Sequence, residues 1–153
     1  LGTTRTRILD TRKTLPGLRS AQKYAVRAGG GVNHRMGLYD AILIKENHIA
    51  AAGSITAAVS ALRATHPGLR IEVEVETRAE LDEALANGVE MVLLDNFSLE
   101  ELHVATTHIA GRALVEISGG VELPALAALG QAGADFISVG ALTKHVRAVD
   151  FSM

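Results

Sequence analysis

Not one cysteine occurs in the 153 residues, which removes disulfides, thiolate nucleophiles and cysteine-ligated zinc from consideration. A reducing compartment is compatible with that absence, and a cytoplasmic location is expected. Aromatic residues are nearly as scarce, with two Tyr, three Phe and no Trp. Single-stranded nucleic acid is bound by stacking bases on aromatic platforms, so it is a poor candidate ligand. Nor is there a basic excess. Fifteen Lys and Arg against 17 Asp and Glu give a formal charge of −2, so neither nucleic acid nor a membrane surface is expected as a partner. Apolar runs are confined to short strands, far below the ~18–20 residues that span a bilayer. No basic segment leading into an apolar core opens the chain, so no signal peptide is expected.

What the chain does have is a rhythm. The apolar pair Ile8-Leu9 ends in Asp10-Thr11-Arg12-Lys13, and the run 41–44 ends in Lys45-Glu46-Asn47. Residues 71–76 alternate as IEVEVE, and 91–94 end in Asp95-Asn96. Residues 113–117 end in Ser118-Gly119-Gly120, and 136–139 end in Gly140. Helical periodicity fills the intervals. Pro16 fits a helix start, with Leu18, Ala21, Ala25 and Val26 on one face and Gly29-Gly30-Gly31 as the stop. Ile55, Ala58, Val59 and Leu62 repeat the spacing before Pro67-Gly68. Thr77 with Glu80, and Ser98 with Glu101, form capping boxes ahead of two further helices, and residues 122–129 give a short one.

Strands alternating with helices are parallel, so all six ends emerge on one rim. In β/α barrels that rim carries the chemistry. The later units run to about 20 residues, against roughly 30 in a complete eight-unit barrel. No linker or low-complexity tract divides the chain. The expectation is one α/β domain over residues 1–153, an incomplete (open) TIM-like barrel with about six parallel strands.

Arg12 and Lys13, read alone, could be a solvated pair opening a loop. Convergence raises the functional reading, because His34-Arg35 follow a glycine-rich segment and Lys45 ends the next strand. Five cations at one mouth are costly unless anions neutralise them, and Arg forks suit carboxylates and phosphates. Glu72, Glu74 and Glu76 share one face of their strand. If that face is solvated they are merely hydrophilic, and if it lines a barrel they must pair with cations or metal. Glu74 and Asp95, oxygen donors without His or Cys, favour Mg²⁺ held through a phosphorylated substrate. Ser118-Gly119-Gly120 and Val139-Gly140-Ala141 end the last two strands, the usual phosphate position in such barrels, though each also serves as an ordinary turn. His66 lies in a turn, His103 and His108 fall at i and i+5 where they do not stack, and His145 reads as exposed.

These words in this order resemble the quinolinate phosphoribosyltransferases (nicotinate-nucleotide pyrophosphorylases, carboxylating): Ile8-Leu9-Asp10-Thr11-Arg12-Lys13-Thr14 with Pro16-Gly17-Leu18-Arg19, Gly31-Val32-Asn33-His34-Arg35, Ile44-Lys45-Glu46-Asn47-His48-Ile49, Glu72-Val73-Glu74-Val75-Glu76, Leu94-Asp95-Asn96, Glu116-Ile117-Ser118-Gly119-Gly120 and Ser138-Val139-Gly140-Ala141-Leu142-Thr143. The resemblance implies a cytoplasmic step of NAD biosynthesis, in which quinolinate and phosphoribosyl pyrophosphate, with Mg²⁺, give nicotinate mononucleotide, pyrophosphate and CO₂. It implies that Arg12, His34, Arg35 and Lys45 neutralise quinolinate and that Lys13 serves the leaving pyrophosphate. Glu74 and Asp95 would serve Mg²⁺, the ribose hydroxyls or the oxocarbenium-like transition state. Ser118, Gly119, Gly120 and Gly140 would hold phosphates, with Lys144 assisting. It further implies a homodimer or higher homo-oligomer, and an amino-terminal domain that covers the neighbour's barrel mouth. This chain begins at or just before the first motif strand, so the expectation is the catalytic half of a longer enzyme. Three alternatives stand beside it: a molybdenum-transport-associated homologue, a nicotinate-specific enzyme, and a non-catalytic domain binding a phospho-ligand. The Arg12, His34, Arg35 and Lys45 set favours a dicarboxylate.

Overall fold

A computed structural model describes every residue except Thr3, Ala148, Phe151 and Met153. Six strands, β1 (Arg7–Leu9), β2 (Ile42–Ile44), β3 (Ile71–Val75), β4 (Met91–Asp95), β5 (Leu114–Ser118) and β6 (Phe136–Ser138), form one sheet. Every pairing is parallel, in the order β1-β6-β5-β4-β3-β2. Consecutive strands are therefore neighbours all the way round, apart from β1 and β2, which form the two edges. Between those edges runs a seam, where a parallel bridge from Val32 to Leu9 brings the following segment alongside β1. The open barrel with six parallel strands is as the sequence predicts.

Alternation sorts the strand residues onto two faces. Val73, Val75, Val92, Leu94, Val115 and Ile117 are buried in the apolar core. There they meet Ile55, Ala58 and Val59 of α3 (Ile55–Thr65), Leu81, Ala84 and Leu85 of α4 (Arg78–Ala86), and Leu102, Ala105 and Ile109 of α5 (Leu99–Ile109). The other face looks into the barrel. Glu72, Glu74, Glu116 and Ser138 are all buried, so the IEVEVE face is a lining rather than a solvated surface. Glu76, one step beyond β3, is exposed.

The predicted caps form. Thr77 accepts from the Glu80 N–H at 3.3 Å while the Glu80 carboxylate accepts from the Thr77 N–H at 3.0 Å. Ser98 and Glu101 repeat the exchange, and the hydrogen bonds from Ser98 hold the Glu101 carboxyl below its ordinary pKa. Residues 122–129 resolve into a 3₁₀ turn (Leu123–Ala125) and α6 (Leu126–Leu129).

The first helical segment departs from expectation. Pro16 opens a Pro-Gly turn, with Gly17 at φ 76°, and α1 runs only over Arg19–Ala28. Leu18, Ala21 and Ala25 are exposed, and the buried residue is Lys23. The polar stripe Arg19, Gln22, Lys23, at i, i+3 and i+4, is the one that meets the barrel. Gly29 caps α1 as predicted, donating to the Ala25 carbonyl at 2.9 Å. Two short helices were not foreseen: α2 (Glu46–Ala52), which starts as β2 ends, and α7 (Ala141–Lys144). In α2 the N-cap is Lys45, the residue directly after β2, its N–H donating to His48 Nδ1 at 3.0 Å.

Candidate active site

All six strands deliver side chains to the rim at their carboxyl ends. A cavity of about 160 Å³ is lined by Arg12, Lys13, His34, Arg35 and Lys45, with Glu74, Glu116, Ser118 and Ser138. The five cations expected at one mouth do meet there. Burial and the Arg12 charge lower the Arg35 pKa against the opposing charges of Glu72 and Asp40, the response of a half-buried guanidinium held beside its like. Lys45 ion-pairs with Glu74, so the strand-end lysine and the interior carboxylate neutralise each other, whereas among the described residues neither Arg12 nor Arg35 makes an ion pair.

A second cavity, about 360 Å³, adjoins the first. Asp95, Asn96, Ser118, Gly119, Gly120, Gly140, Lys144 and His145 line it, so both glycine turns and Lys144 come together as the sequence predicts. Lys13, Thr11, Ser118 and Ser138 line both cavities, which puts the Lys13 ammonium at their junction. Gly119 sits at φ 99°, and a Cβ there would lie 2.6 Å from Asn96 Oδ1 and 2.9 Å from its backbone N. Only glycine fits, because the turn after β5 lies directly on the residue after β4. Asn96 is itself left-handed, at φ 59°, and donates to Asp95 Oδ2 at 2.9 Å.

His34 is placed differently from a simple ligand-facing cation. Its Nε2 lies 2.9 Å from Glu72 Oε2 and 3.2 Å from Glu116 Oε2, and its Nδ1 accepts the Arg35 backbone N–H at 2.8 Å. Both ring nitrogens are thus engaged within the protein, and a cavity ligand meets the ring rather than a free N–H. Among the described residues, His34, Glu72 and Glu116 form the one trio close enough for a metal ion. The tautomer speaks against that use. An Nδ1 that accepts a main-chain N–H leaves the proton on Nε2, whereas a ligating imidazole donates from its other nitrogen. The trio is a proton-holding cluster instead. Burial, only partly opposed by the hydrogen bond from His34, pushes the Glu72 carboxyl up to about 7. For His34 burial pulls the other way, but hydrogen bonds and charge from Glu116 and Glu72 outweigh it and lift the imidazole to about 10. The Arg35 N–H aimed at Nδ1 places the extra proton on the carboxyl side. Glu72 Oε1 and Glu116 Oε2 are buried without a hydrogen-bond partner among the described residues.

The sequence reading missed the residues that hold these groups in place. Thr143 Oγ1 donates to the Lys13 carbonyl at 2.8 Å. Gln22 Nε2 in turn donates to the Thr143 carbonyl at 2.8 Å. His145 is exposed, as expected, and also lines the second cavity. Thr143 stands in one of the motif words, but Gln22 and His145 carry no pattern that a single sequence could reveal. His66 and His103 stay away from both cavities, and His108 pairs with Asp82 on the surface of α4 at 2.6 Å.

With the two cavities described, similarity to known proteins can be stated. The family described as "Quinolinate phosphoribosyl transferase, C-terminal domain" matches residues 1–153. The chain belongs to this family. It is 51% identical over 153 residues to the nicotinate-nucleotide pyrophosphorylase [carboxylating] of Mycobacterium leprae, covering 98% of this chain and 54% of that protein. A chloroplastic relative of the same name from Arabidopsis thaliana is 45% identical over 165 aligned residues, covering 95% of this chain and 47% of that protein. Among solved structures, the nicotinate-nucleotide pyrophosphorylase from Francisella tularensis superposes with a TM-score of 0.94 at 50% identity, covering 96% of this chain and 52% of that one. The chain thus spans about half the length of the relatives it matches.

Proposed function

We propose that this chain is the barrel part of a carboxylating nicotinate-nucleotide pyrophosphorylase, which transfers phosphoribose from phosphoribosyl pyrophosphate to quinolinate. The observation that carries this reading is the pairing of a cationic cavity with a glycine-walled one, joined at Lys13. Two adjacent carboxylates suit the arginine pair, Arg12 and Arg35, with Lys45 beside them. A phosphorylated ribosyl donor suits the turns at Ser118-Gly119-Gly120 and Gly140, with Lys144. Quinolinate in the first cavity would point its ring nitrogen across the junction toward the anomeric carbon of the donor. As the C1–pyrophosphate bond breaks, Lys13 lies where the departing charge collects, and Asp95 and Glu74 supply negative charge for the cationic ribosyl. The ribosylated nitrogen then carries the positive charge that stabilises the C2 carbanion left when the 2-carboxylate leaves as CO₂, and a proton from solvent completes the product. Positioning and electrostatics supply the catalysis.

The donor set is compatible with Mg²⁺. Asp95 offers hard carboxylate oxygens beside the glycine turns, and Glu74, if Lys45 releases it, offers them from the adjoining cavity, the setting in which Mg²⁺ is shared between protein and substrate. Bound there, the ion would neutralise pyrophosphate charge. A cytoplasmic setting and pairing into a homodimer or higher oligomer, with the partner completing the mouth, belong to the same proposal.

The test is release of CO₂ from 2-carboxyl-labelled quinolinate with phosphoribosyl pyrophosphate and Mg²⁺. It should be run on this chain and on the longest natural reading frame containing it. Release by the longer form is expected, and release by neither would overturn the reading.

A further inference from the structure

We propose that Lys23, together with Asp10 and Arg19, is a positioning residue that sets the spacing of the anion-binding cations across the seam. None of the three is needed to touch substrate. The inference rests on the functional reading above for its kinetic test, and on geometry alone for its binding test.

A buried lysine is costly unless it is paired and hydrogen-bonded. Lys23 is 1% exposed and Asp10 is fully buried, and neither belongs to the apolar core. The Lys23 ammonium donates to Asp10 Oδ1 at 2.5 Å and to the His34 carbonyl at 2.8 Å. The same Asp10 Oδ1 accepts the His34 N–H at 2.8 Å, and Oδ2 accepts from Asn33 Nδ2 at 2.5 Å. Asn33 Nδ2 also donates to the Lys23 carbonyl at 2.9 Å. One ion pair therefore holds the end of β1, two residues before Arg12, against the segment that carries Arg35. Backbone pairing of β1 with this segment is limited to the isolated bridge at Leu9 and Val32, and the ion pair extends the hold to His34.

Arg19 repeats the stitch one turn earlier in α1. Its guanidinium donates to the Arg12 carbonyl at 3.1 Å and to the Met36 carbonyl at 3.2 Å, with Nε to Thr14 Oγ1 at 3.2 Å. Both stitches join the loop bearing Arg12 and Lys13 to the loop bearing His34 and Arg35. Apolar packing would tolerate sliding at this seam, whereas directional hydrogen bonds from charged groups do not. Such a device suits a site in which two arginines from different loops must match two carboxylates on one ring.

The experiment uses the full-length protein containing this chain. The double variant Lys23→Met with Asp10→Asn removes both buried charges together, and Arg19→Ala cuts the second stitch at a half-exposed site. Quinolinate KM and kcat, the melting temperature, and calorimetric binding of inorganic pyrophosphate are measured for each. A purely structural role lowers the melting temperature and leaves the KM of the folded fraction unchanged. The expected result is a KM for quinolinate raised roughly tenfold or more in the double variant, and less in Arg19→Ala, with kcat changed less than KM. A folded double variant with KM within about twofold of the parent overturns the proposal. Should the double variant fail to fold, Arg19→Ala decides by the same criterion. Should the parent not turn over quinolinate, the functional reading fails by itself. Pyrophosphate affinity then decides: weakening in the variants supports the positioning role, and equal affinity overturns it.

Discussion

The two sides of this barrel are held together by different physics. On the β3–β5 side, strands with Val, Leu and Ile on one face pack against α3, α4 and α5, whose inward residues are apolar and fully buried. Two of those helices begin with reciprocal capping boxes. On the β1 side, α1 meets the barrel through Arg19, Gln22 and Lys23, while Leu18 and Ala25 look outward. Ala25 and Val26 line an open groove of about 610 Å³ with Leu142 and Val146. Non-directional burial gives stability but tolerates small displacements, and directional polar contacts give position at a desolvation cost. The first side is a scaffold. The second is a seam on which the cations are aligned.

The sharpest way to break the comparison is to damage each side separately. Ile117→Ala empties a site that is 2% exposed in the core, and should cost about 2–5 kcal/mol in urea unfolding, with quinolinate KM unchanged in the protein that remains folded. Lys13→Ala removes an exposed side chain at the junction of the cavities. It should lower kcat by roughly 10²–10³-fold, as loss of one donor to developing charge does, and move stability by no more than about 0.5 kcal/mol. Arg35→Ala should instead act mainly on quinolinate KM. If Lys13→Ala and Arg35→Ala gave equal, small changes in both parameters, the division of roles at the mouth would be wrong.

This division also explains what a single sequence reveals. Six strand ends, both predicted capping boxes and the glycine turns were legible because each rests on local periodicity or on fixed spacing. Arg12, Lys13, Arg35 and Lys45 were legible as a cluster because parallel topology sends every strand end to one rim. The orientation of α1 was not. Its apolar residues satisfy the ordinary amphipathic rule, and that rule puts Leu18, Ala21, Ala25 and Val26 on one inward face, of which only Val26 is even half-buried. The opposite outcome follows from a partner 13 residues away, Asp10, which a helical pattern cannot register. His34 was found as a site residue, but the engagement of its Nε2 depends on Glu72 and Glu116, on strands far along the chain.

The buried cluster gives the comparison a pH axis. Burial raises the folded pKa of Glu72 to about 7 from 4.5, so the folded state keeps a proton that the unfolded chain has released. Stability must then fall as pH rises through that window. One retained proton corresponds to a slope of about 1.4 kcal/mol per pH unit at most. In Glu72→Gln, which keeps the shape and removes the titrating group, urea midpoints between pH 5 and 9 should fall less steeply than in the parent. Parallel slopes in the two proteins would show that the cluster holds no extra proton.

The smallest effect belongs to the outward face of α1. Leu18, at 49% exposed, precedes the helix rather than anchoring it. Its truncation removes little surface that folding has taken from water. Leu18→Ala should therefore change unfolding free energy by about 0.5 kcal/mol or less, against the several kcal/mol expected for Ile117. If Leu18→Ala cost as much as a core deletion, this face would have to be covered in solution, and α1 would be held by apolar contact as well as by its charged stripe. A small value in the longer reading frame as well would leave the Lys23–Asp10 pair and the Arg19 stitch as what fixes α1 to the barrel.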